Sequence, residues 1–301
     1  MTTIYLVRHG EAEGNAFRRI HGQYDSLLTP TGFRQVEALA RRFREIPVDA
    51  CFSSDLTRTS LTARAVYVPQ KLPLYRDPAF REICLGSWED LTFSYTSRFI
   101  RGMKAAASRF PGKRIAIFCH SAVLRGVLME LFFQRDVNRV PYCDNTAVSK
   151  LFWDGKTFTY EFLNDSSHLP EDLKPPRQDP GESRNLWFQP LQGRSTQGLP
   201  QPPEGSVSYL AVLEDAPVGL VSLDRAQGQV TRLFLQEACR GSGMEEQLLG
   251  QAVSCLRKWG HRTLYIRRQD AEPGGFLDRY GFQTEGERLK YHLDSGMYCW
   301  N

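Results

Sequence analysis

Two short apolar runs each end in a histidine, and they constrain the fold more than any bulk property. Ile4-Tyr5-Leu6-Val7 passes without polar alternation into Arg8-His9-Gly10-Glu11. Ile115-Ala116-Ile117-Phe118-Cys119 does the same and stops at His120-Ser121. A β-rich run lacking alternation is buried on both faces, as a parallel strand inside an α/β sheet is. Ligands bind such sheets at the carboxyl ends of central strands. A histidine there, beside a permanently charged guanidinium, can attack an anionic phosphoryl group. One such strand end is readily a surface histidine; two in one sheet are hard to dismiss.

The segments between these strands read as an α/β alternation. The polar stretch from Glu11 to Leu28 is expected to be a long active-site loop. Thr29-Pro30 starts a helix, Thr as cap and Pro at the first position, with Val36, Leu39, Ala40 and Phe43 on its apolar face. Val48–Ser53 is the next strand, and Ser54-Asp55 is expected to cap a helix carrying Arg58 in its first turn. That places Arg58 at the same sheet edge as His9. Leu72–Arg76 is a short extended stretch before Arg81-Glu82-Ile83 and Gly86-Ser87-Trp88-Glu89. A helix over Ser97–Arg109 precedes the Ile115 strand, and a second helix with Val123, Leu124, Val127, Leu128 and Leu131 follows it. A hairpin of 147–153 and 158–163 around Asp154-Gly155 closes this part.

Residues 170–184 hold four prolines and a glycine among charged residues, the composition of an exposed linker. Beyond it, 186–188 reads as a strand, 207–213 and 218–223 as a hairpin, and 229–236 as a further strand. That strand runs into Arg240-Gly241-Ser242-Gly243 and a helix from Met244 to about Trp259. A glycine-bearing turn at a helix N-terminus offers free backbone N–H groups to an anion. Thr263–Arg267, a short helix over 275–280 and strands after Gly281-Phe282 complete the chain.

Composition narrows the partners. The 301 residues carry a net charge of +4, 41% hydrophobic and 24% charged, which suits a soluble chain of two ordinary domains. Residues 1–170 hold 23 Lys+Arg against 17 Asp+Glu, whereas the remainder holds 15 against 17. That excess favours a small anionic substrate and is too dispersed for nucleic acid. No stretch approaches the roughly 20 apolar residues of a membrane span, and no signal-peptide pattern precedes the first strand. Seven scattered cysteines without metal-ligand spacing fit reduced thiols and a cytoplasmic setting. The sequence leaves the oligomeric state open.

Taken together, residues 1–169 resemble the histidine phosphatase (phosphoglycerate mutase-like) superfamily. The resemblance rests on an ordered set: 6–11 with Asn15, 28–32, 52–59, Arg81-Glu82-Ile83 with 86–89, His120, and the closing Asn164-Asp165-Ser166-Ser167-His168-Leu169. It implies a three-layer α/β domain with a mostly parallel sheet and His9 as a nucleophile forming a phosphohistidine. Arg8, Arg58 and His120 would surround the phosphoryl oxygens, with Asn15 as a further donor. Fixed cations can stabilise the transferring group, so no metal and no cofactor is implied. Glu82 would protonate the leaving oxygen and then deprotonate the attacking water. His9 needs a partner to fix its tautomer, which the sequence does not disclose.

This family usually carries a long helical insertion after the position of Trp88, whereas only 89–114 fills that interval here. A more open site favours a phosphatase over a mutase, which must exclude water. Cys119-His120-Ser121-Ala122 also lacks the Gly that often follows the second histidine. Arg18 and Arg19 hint at a second anionic group on the substrate. A phosphoglycerate mutase-type phosphotransfer and a catalytically silent scaffold are the alternatives.

Residues 185–301 resemble a smaller α+β domain, the GNAT acetyltransferase fold, with Arg240, Gly241, Ser242 and Gly243 at the start of its pyrophosphate loop for acetyl-CoA. The pattern departs in two places: Glu245 stands where the loop's last small residue is usual, and Leu277 where a Tyr general acid is usual. Acetyl transfer, making the chain bifunctional, and a CoA-free module for partner binding or dimerisation both stay open.

Overall fold

The structure, a computed structural model, describes residues 1–18, 22–23, 25–83, 94–174, 186–191, 196, 198–241, 243–272 and 275–293. The chain forms two compact units: Met1–Ala12 with Ile20–Pro176, and Glu13–Arg19 with Arg177–Asn301.

In the first unit, β1 (Thr2–Arg8) is the backbone of a six-stranded sheet. It is followed in chain order by α2 (Pro30–Phe43), β2 (Ala50–Ser53), α3 (Thr57–Tyr67), β3 (Leu74–Arg76), α4 (Ser94–Arg109), β4 (Arg114–Cys119), α5 (Ser121–Phe132), β5 (Val148–Trp153) and β6 (Phe158–Asp165). The label α1 belongs to Glu13–Ala16, which packs within the second unit. The strand order is β3-β2-β4-β1-β5-β6. β3, β2, β4 and β1 run parallel, and β5 and β6 add an antiparallel edge. The uninterrupted apolar runs have the expected cause. Ile4, Leu6, Ile115 and Ile117 face a core built with Phe99, Met103 and Val123 of α4 and α5. Tyr5, Val7, Ala116 and Phe118 face the opposite core, with Val36, Leu39 and Val66 of α2 and α3. Three layers result, and polar residues have no place on either face of the central strands.

Local signals account for several boundaries. Thr29 caps α2, its hydroxyl accepting from the Gly32 N–H at 3.0 Å, with Pro30 at the first position. Gly32 is required because a Cβ there would lie 2.0 Å from the Glu11 carbonyl oxygen. The cap expected at Ser54-Asp55 differs from the structure: α3 is capped from outside by Asp25. That carboxylate accepts from the Thr57 N–H at 2.7 Å and from its hydroxyl at 2.6 Å, as a negative group at a helix N-terminus should. Asp55 pairs instead with Arg81, whose Nε donates to it at 2.7 Å and holds its carboxyl below the usual range. The linker expected from Pro170 differs as well. Residues 171–173 form a 3-10 turn that buries Leu173 against Ala38 and Leu169, and the Gln35 side chain donates to the Leu173 carbonyl at 2.8 Å. From residue 175 to 184 the linker lies outside the described residues.

The second unit holds β7 (Trp187–Pro190), β8 (Val207–Leu213), β9 (Ala216–Asp224), β10 (Gln229–Leu235), α6 (Met244–Lys258), β11 (Thr263–Ile266), β12 (Ala271–Glu272), β13 (Gln283–Glu285) and β14 (Arg288–His292). Its sheet runs β13-β14-β11-β10-β9-β8-β7, with β12 beside β10. α6 lays Leu248, Leu249, Ala252 and Leu256 on the core formed by these strands. Phe17, in the stretch expected as one long loop, contributes to the same core. Phe17 is 2% exposed and packs on Tyr280 and Tyr291, and Glu13 pairs with Arg257. The Arg18 guanidinium abuts Gly243 of the same unit. Arg19 is outside the described residues.

Candidate active site

The β1–β4 pairing sets Arg8 level with Cys119, so His9 and His120 leave the sheet side by side. Their ring centroids lie 5.2 Å apart. The His9 N–H donates to the Cys119 carbonyl at 3.0 Å, continuing the ladder one step past the strand. His9 Nδ1 lies 2.7 Å from the Gly10 carbonyl. A carbonyl only accepts, so Nδ1 carries the hydrogen and Nε2 keeps the lone pair. The tautomer partner missing from the sequence reading is therefore the next residue's main chain. Burial, then the neighbouring Arg58, His120 and Arg8, holds the His9 pKa well below the ordinary histidine value. The ring is a neutral base with one nitrogen ready to attack.

Arg58, on the first turn of α3, is 1% exposed. Its Nε donates to His120 Nδ1 at 3.2 Å and one terminal nitrogen to the Gly22 carbonyl at 2.8 Å. Burial lowers its pKa to about 10, which leaves it cationic at neutral pH. Because His120 Nδ1 accepts, neutral His120 carries its hydrogen on Nε2, as a donor to an anion. Arg8 is buried and donates to the Cys143 carbonyl. Glu82 sits at the N-terminus of α5: one oxygen accepts from the Val123 N–H at 2.7 Å and from its own neighbour Ile83 at 3.0 Å, the other from Ala122 at 3.1 Å. A carboxylate in that place satisfies the helix's open donors.

The structure thus brings Arg8, His9, Arg58, Glu82 and His120 together. Asn15 lies on α1, among residues that pack with the second unit. Gly86-Ser87-Trp88-Glu89 falls outside the described residues. Among the described residues, no cluster of His, Cys, Asp or Glu is placed to hold a metal ion, and no helix is long and apolar enough to cross a membrane.

Sequence reasoning missed three contributors. Thr62 accepts from the Gly10 N–H at 3.0 Å and donates to the Arg58 carbonyl at 2.7 Å, tying α3 to the nucleophile's loop. Asn145 and Thr146 both donate to the His9 carbonyl, from the side-chain amide at 3.1 Å and the backbone N–H at 3.3 Å. Asp144-Asn145-Thr146 reads locally as a plain polar turn, and nothing in its pattern points to His9.

His168, from the closing motif, lies between Arg42 at 3.2 Å and Thr146 at 3.1 Å. Burial, then Arg42, lowers its pKa to about 4, with Asp165 opposing and Arg41 adding to the fall. The unfolded chain, with an ordinary histidine, binds more protons between pH 6.5 and 4, so stability rises with pH across that window. His168 is expected to contribute up to about 3 kcal/mol, fully present above pH 6.5 and lost on the way to pH 4. Urea midpoints of wild type and His168→Gln, compared at pH 7 and pH 4.5, check this: the variant should be the less pH-sensitive.

A mostly parallel sheet with two histidines and two buried arginines at its carboxyl edge defines the first unit as a phosphoglycerate mutase-like α/β enzyme domain. The chain belongs to the histidine phosphatase superfamily (branch 1), whose family model matches residues 4–98 and 94–166. Residues 180–292 match the acetyltransferase (GNAT) domain model. A probable phosphoglycerate mutase, GpmB of Yersinia pestis (strain Pestoides F), is 44% identical over 90 residues, which is 30% of this chain and 42% of that protein. The chain therefore spans less than half the length of the curated relatives it matches. Among solved structures, Bacillus stearothermophilus YhfR aligns with a TM-score of 0.52 at 27% identity, covering 56% of this chain and 99% of that one. Phosphoserine phosphatase from Entamoeba histolytica, solved with 3-phosphoglyceric acid, shares the fold at a TM-score of 0.50 and 21% identity, covering 56% and 100%.

At the second unit's loop, one backbone donor is already taken by a side chain of this chain. Gly241 and Gly243 adopt left-handed backbone, φ +74° and +81°, as a tight loop before α6 requires. Yet the Gly241 N–H already donates to Glu245 Oε1 at 2.5 Å, and that glutamate is buried. An internal carboxylate takes a donor that a pyrophosphate would need. Arg240 turns away, its Nε donating to the Leu235 carbonyl at 3.0 Å. Leu277 is fully buried. Ser242 lies outside the described residues.

Proposed function

We propose that this chain is a metal-independent phosphomonoesterase that hydrolyses a small phosphorylated metabolite through a phosphohistidine on His9. The observation that carries the reading is the buried, neutral His9 ring, with Nδ1 committed to Gly10 and Nε2 unprotonated, beside Arg8, Arg58 and His120. Nε2 attacks phosphorus, and the bond to the leaving oxygen breaks while Glu82, entering the step as the carboxylic acid, gives that oxygen its proton. Water then attacks the phosphohistidine, its proton returns to Glu82, and inorganic phosphate and the free ring are regenerated. The cations stabilise charge on the equatorial oxygens throughout.

Hydrolysis is favoured over phosphoryl exchange because only residues 89–114 fill the interval where a long covering insertion is usual. Similarity to a probable mutase over 90 residues keeps phosphoglycerate mutase-type transfer as the second reading. Turnover of p-nitrophenyl phosphate in EDTA, with an acid-labile phosphoryl group trapped on the enzyme by rapid quench, tests the first. Activity only after metal is restored would sink it.

The phosphatase activity is assigned to the first compact unit, Met1–Ala12 with Ile20–Pro176, and the second unit acts as a CoA-free module. Titration of the full chain with acetyl-CoA is expected to give no saturable binding up to about 1 mM, the weak end of specific recognition. Saturation below that concentration would instead favour a bifunctional enzyme. Five free cysteines among the described residues support a reducing, cytoplasmic setting.

A further inference from the structure

We propose that His168 is a positioning residue for the nucleophile, holding Thr146 and, through it, the main chain of His9. The proposal rests on the reading of His9 as the attacking group.

Thr146 is fully buried with φ +61°. A β-branched residue in left-handed backbone is an outlier that persists only where its surroundings impose it. Those surroundings form a directed relay. Arg42 can only donate, so its 3.2 Å contact makes His168 Nδ1 an acceptor. The neutral ring then carries its hydrogen on Nε2, which donates to Thr146 Oγ1 at 3.1 Å. That hydroxyl donates onward to the Asn145 carbonyl at 2.6 Å. With 145 and 146 so fixed, the Asn145 amide and the Thr146 N–H both reach the His9 carbonyl. The start of the relay is anchored too, because Arg42 pairs with the Asp165 carboxylate at 2.7 Å and donates to its carbonyl at 3.1 Å. His9 is thereby gripped at its carbonyl, while Cys119 holds its N–H and Gly10 orients its ring. A carbonyl that slips takes the imidazole with it.

A residue that merely fills space would lower stability without separating kcat from binding. Steady-state kinetics on p-nitrophenyl phosphate distinguish the two. His168→Phe is expected to lose about 10- to 100-fold in kcat, the cost of a misplaced reacting atom. Its KM, and the inhibition constant of inorganic phosphate, should stay within about threefold. His168→Gln, whose amide can accept from Arg42 and donate to Thr146, should return to within about threefold of wild type. Thr146→Val should fall as His168→Phe does, and the double variant no further. A folded His168→Phe with wild-type kcat overturns the proposal, as does a Gln variant no better than Phe. If the Phe variant does not fold, wild-type kcat in Thr146→Val overturns it. If wild type itself neither turns over nor forms a phosphohistidine, the reading of His9 has failed instead. Positioning is then decided by the His9 Nδ1–H proton resonance, which should move in Thr146→Val and hold in His168→Gln; no movement in either overturns the proposal.

Discussion

Replacing His9 with alanine is expected to lower kcat for p-nitrophenyl phosphate by on the order of 10⁴-fold or more, the scale at which loss of a nucleophile is felt. The fold should survive. His9 is neutral in place, so its removal strands no buried charge, and the Gly10 carbonyl loses one donor. The comparison is made in EDTA, with melting temperature as the control for folding. The phosphoryl group trapped by rapid quench in wild type should vanish in the variant. A variant retaining more than about a tenth of wild-type kcat would mean that another group attacks, because residual electrostatics alone do not sustain such a rate.

Arg58 yields the second large effect, in which activity and stability move in opposite directions. Arg58→Met is expected to lower kcat/KM by about 10²- to 10³-fold, the usual cost of one preorganised charge or donor. Burial lowers the pKa of this guanidinium from 12.5 to about 10, so the folded state disfavours the charged form by roughly 3 kcal/mol. Its hydrogen bonds to His120 and Gly22 offset part of that cost. A methionine fills much of the volume without the charge, and the urea midpoint should hold or rise, the trade-off expected of a site selected for function. Arg58→Lys should not restore activity, since one ammonium cannot reproduce the guanidinium's two directed contacts. A large drop in the midpoint of Arg58→Met would show that the residue is kept for stability.

The legible parts of the sequence were those with local causes. The strands bearing His9 and His120 show as apolar runs because both faces of the sheet are covered. Thr29-Pro30 announces α2 because cap and helix start are adjacent. Glu245 stood out because the expected small residue was missing. What stayed hidden depends on partners remote in sequence. Asp55 leaves α3 for Arg81, and Asp25 caps α3 from 32 residues away. Asn145 and Thr146 reach His9 across more than 130 residues. Only the Gly10 partner was local, and a main-chain carbonyl leaves no mark on sequence.

Phe17 has a consequence for how this polypeptide can be divided. The second unit is not a C-terminal appendage, because part of its interior comes from Phe17, within the N-terminal region. A fragment beginning after the linker would lack the aromatic that fills the space beside Tyr280 and Tyr291, and the Arg257 contact with Glu13 would be lost. A domain swap at the linker would transplant an incomplete interior. In genetic terms the two halves are not separable cassettes: an insertion, deletion or recombination that respects the linker still divides the second unit.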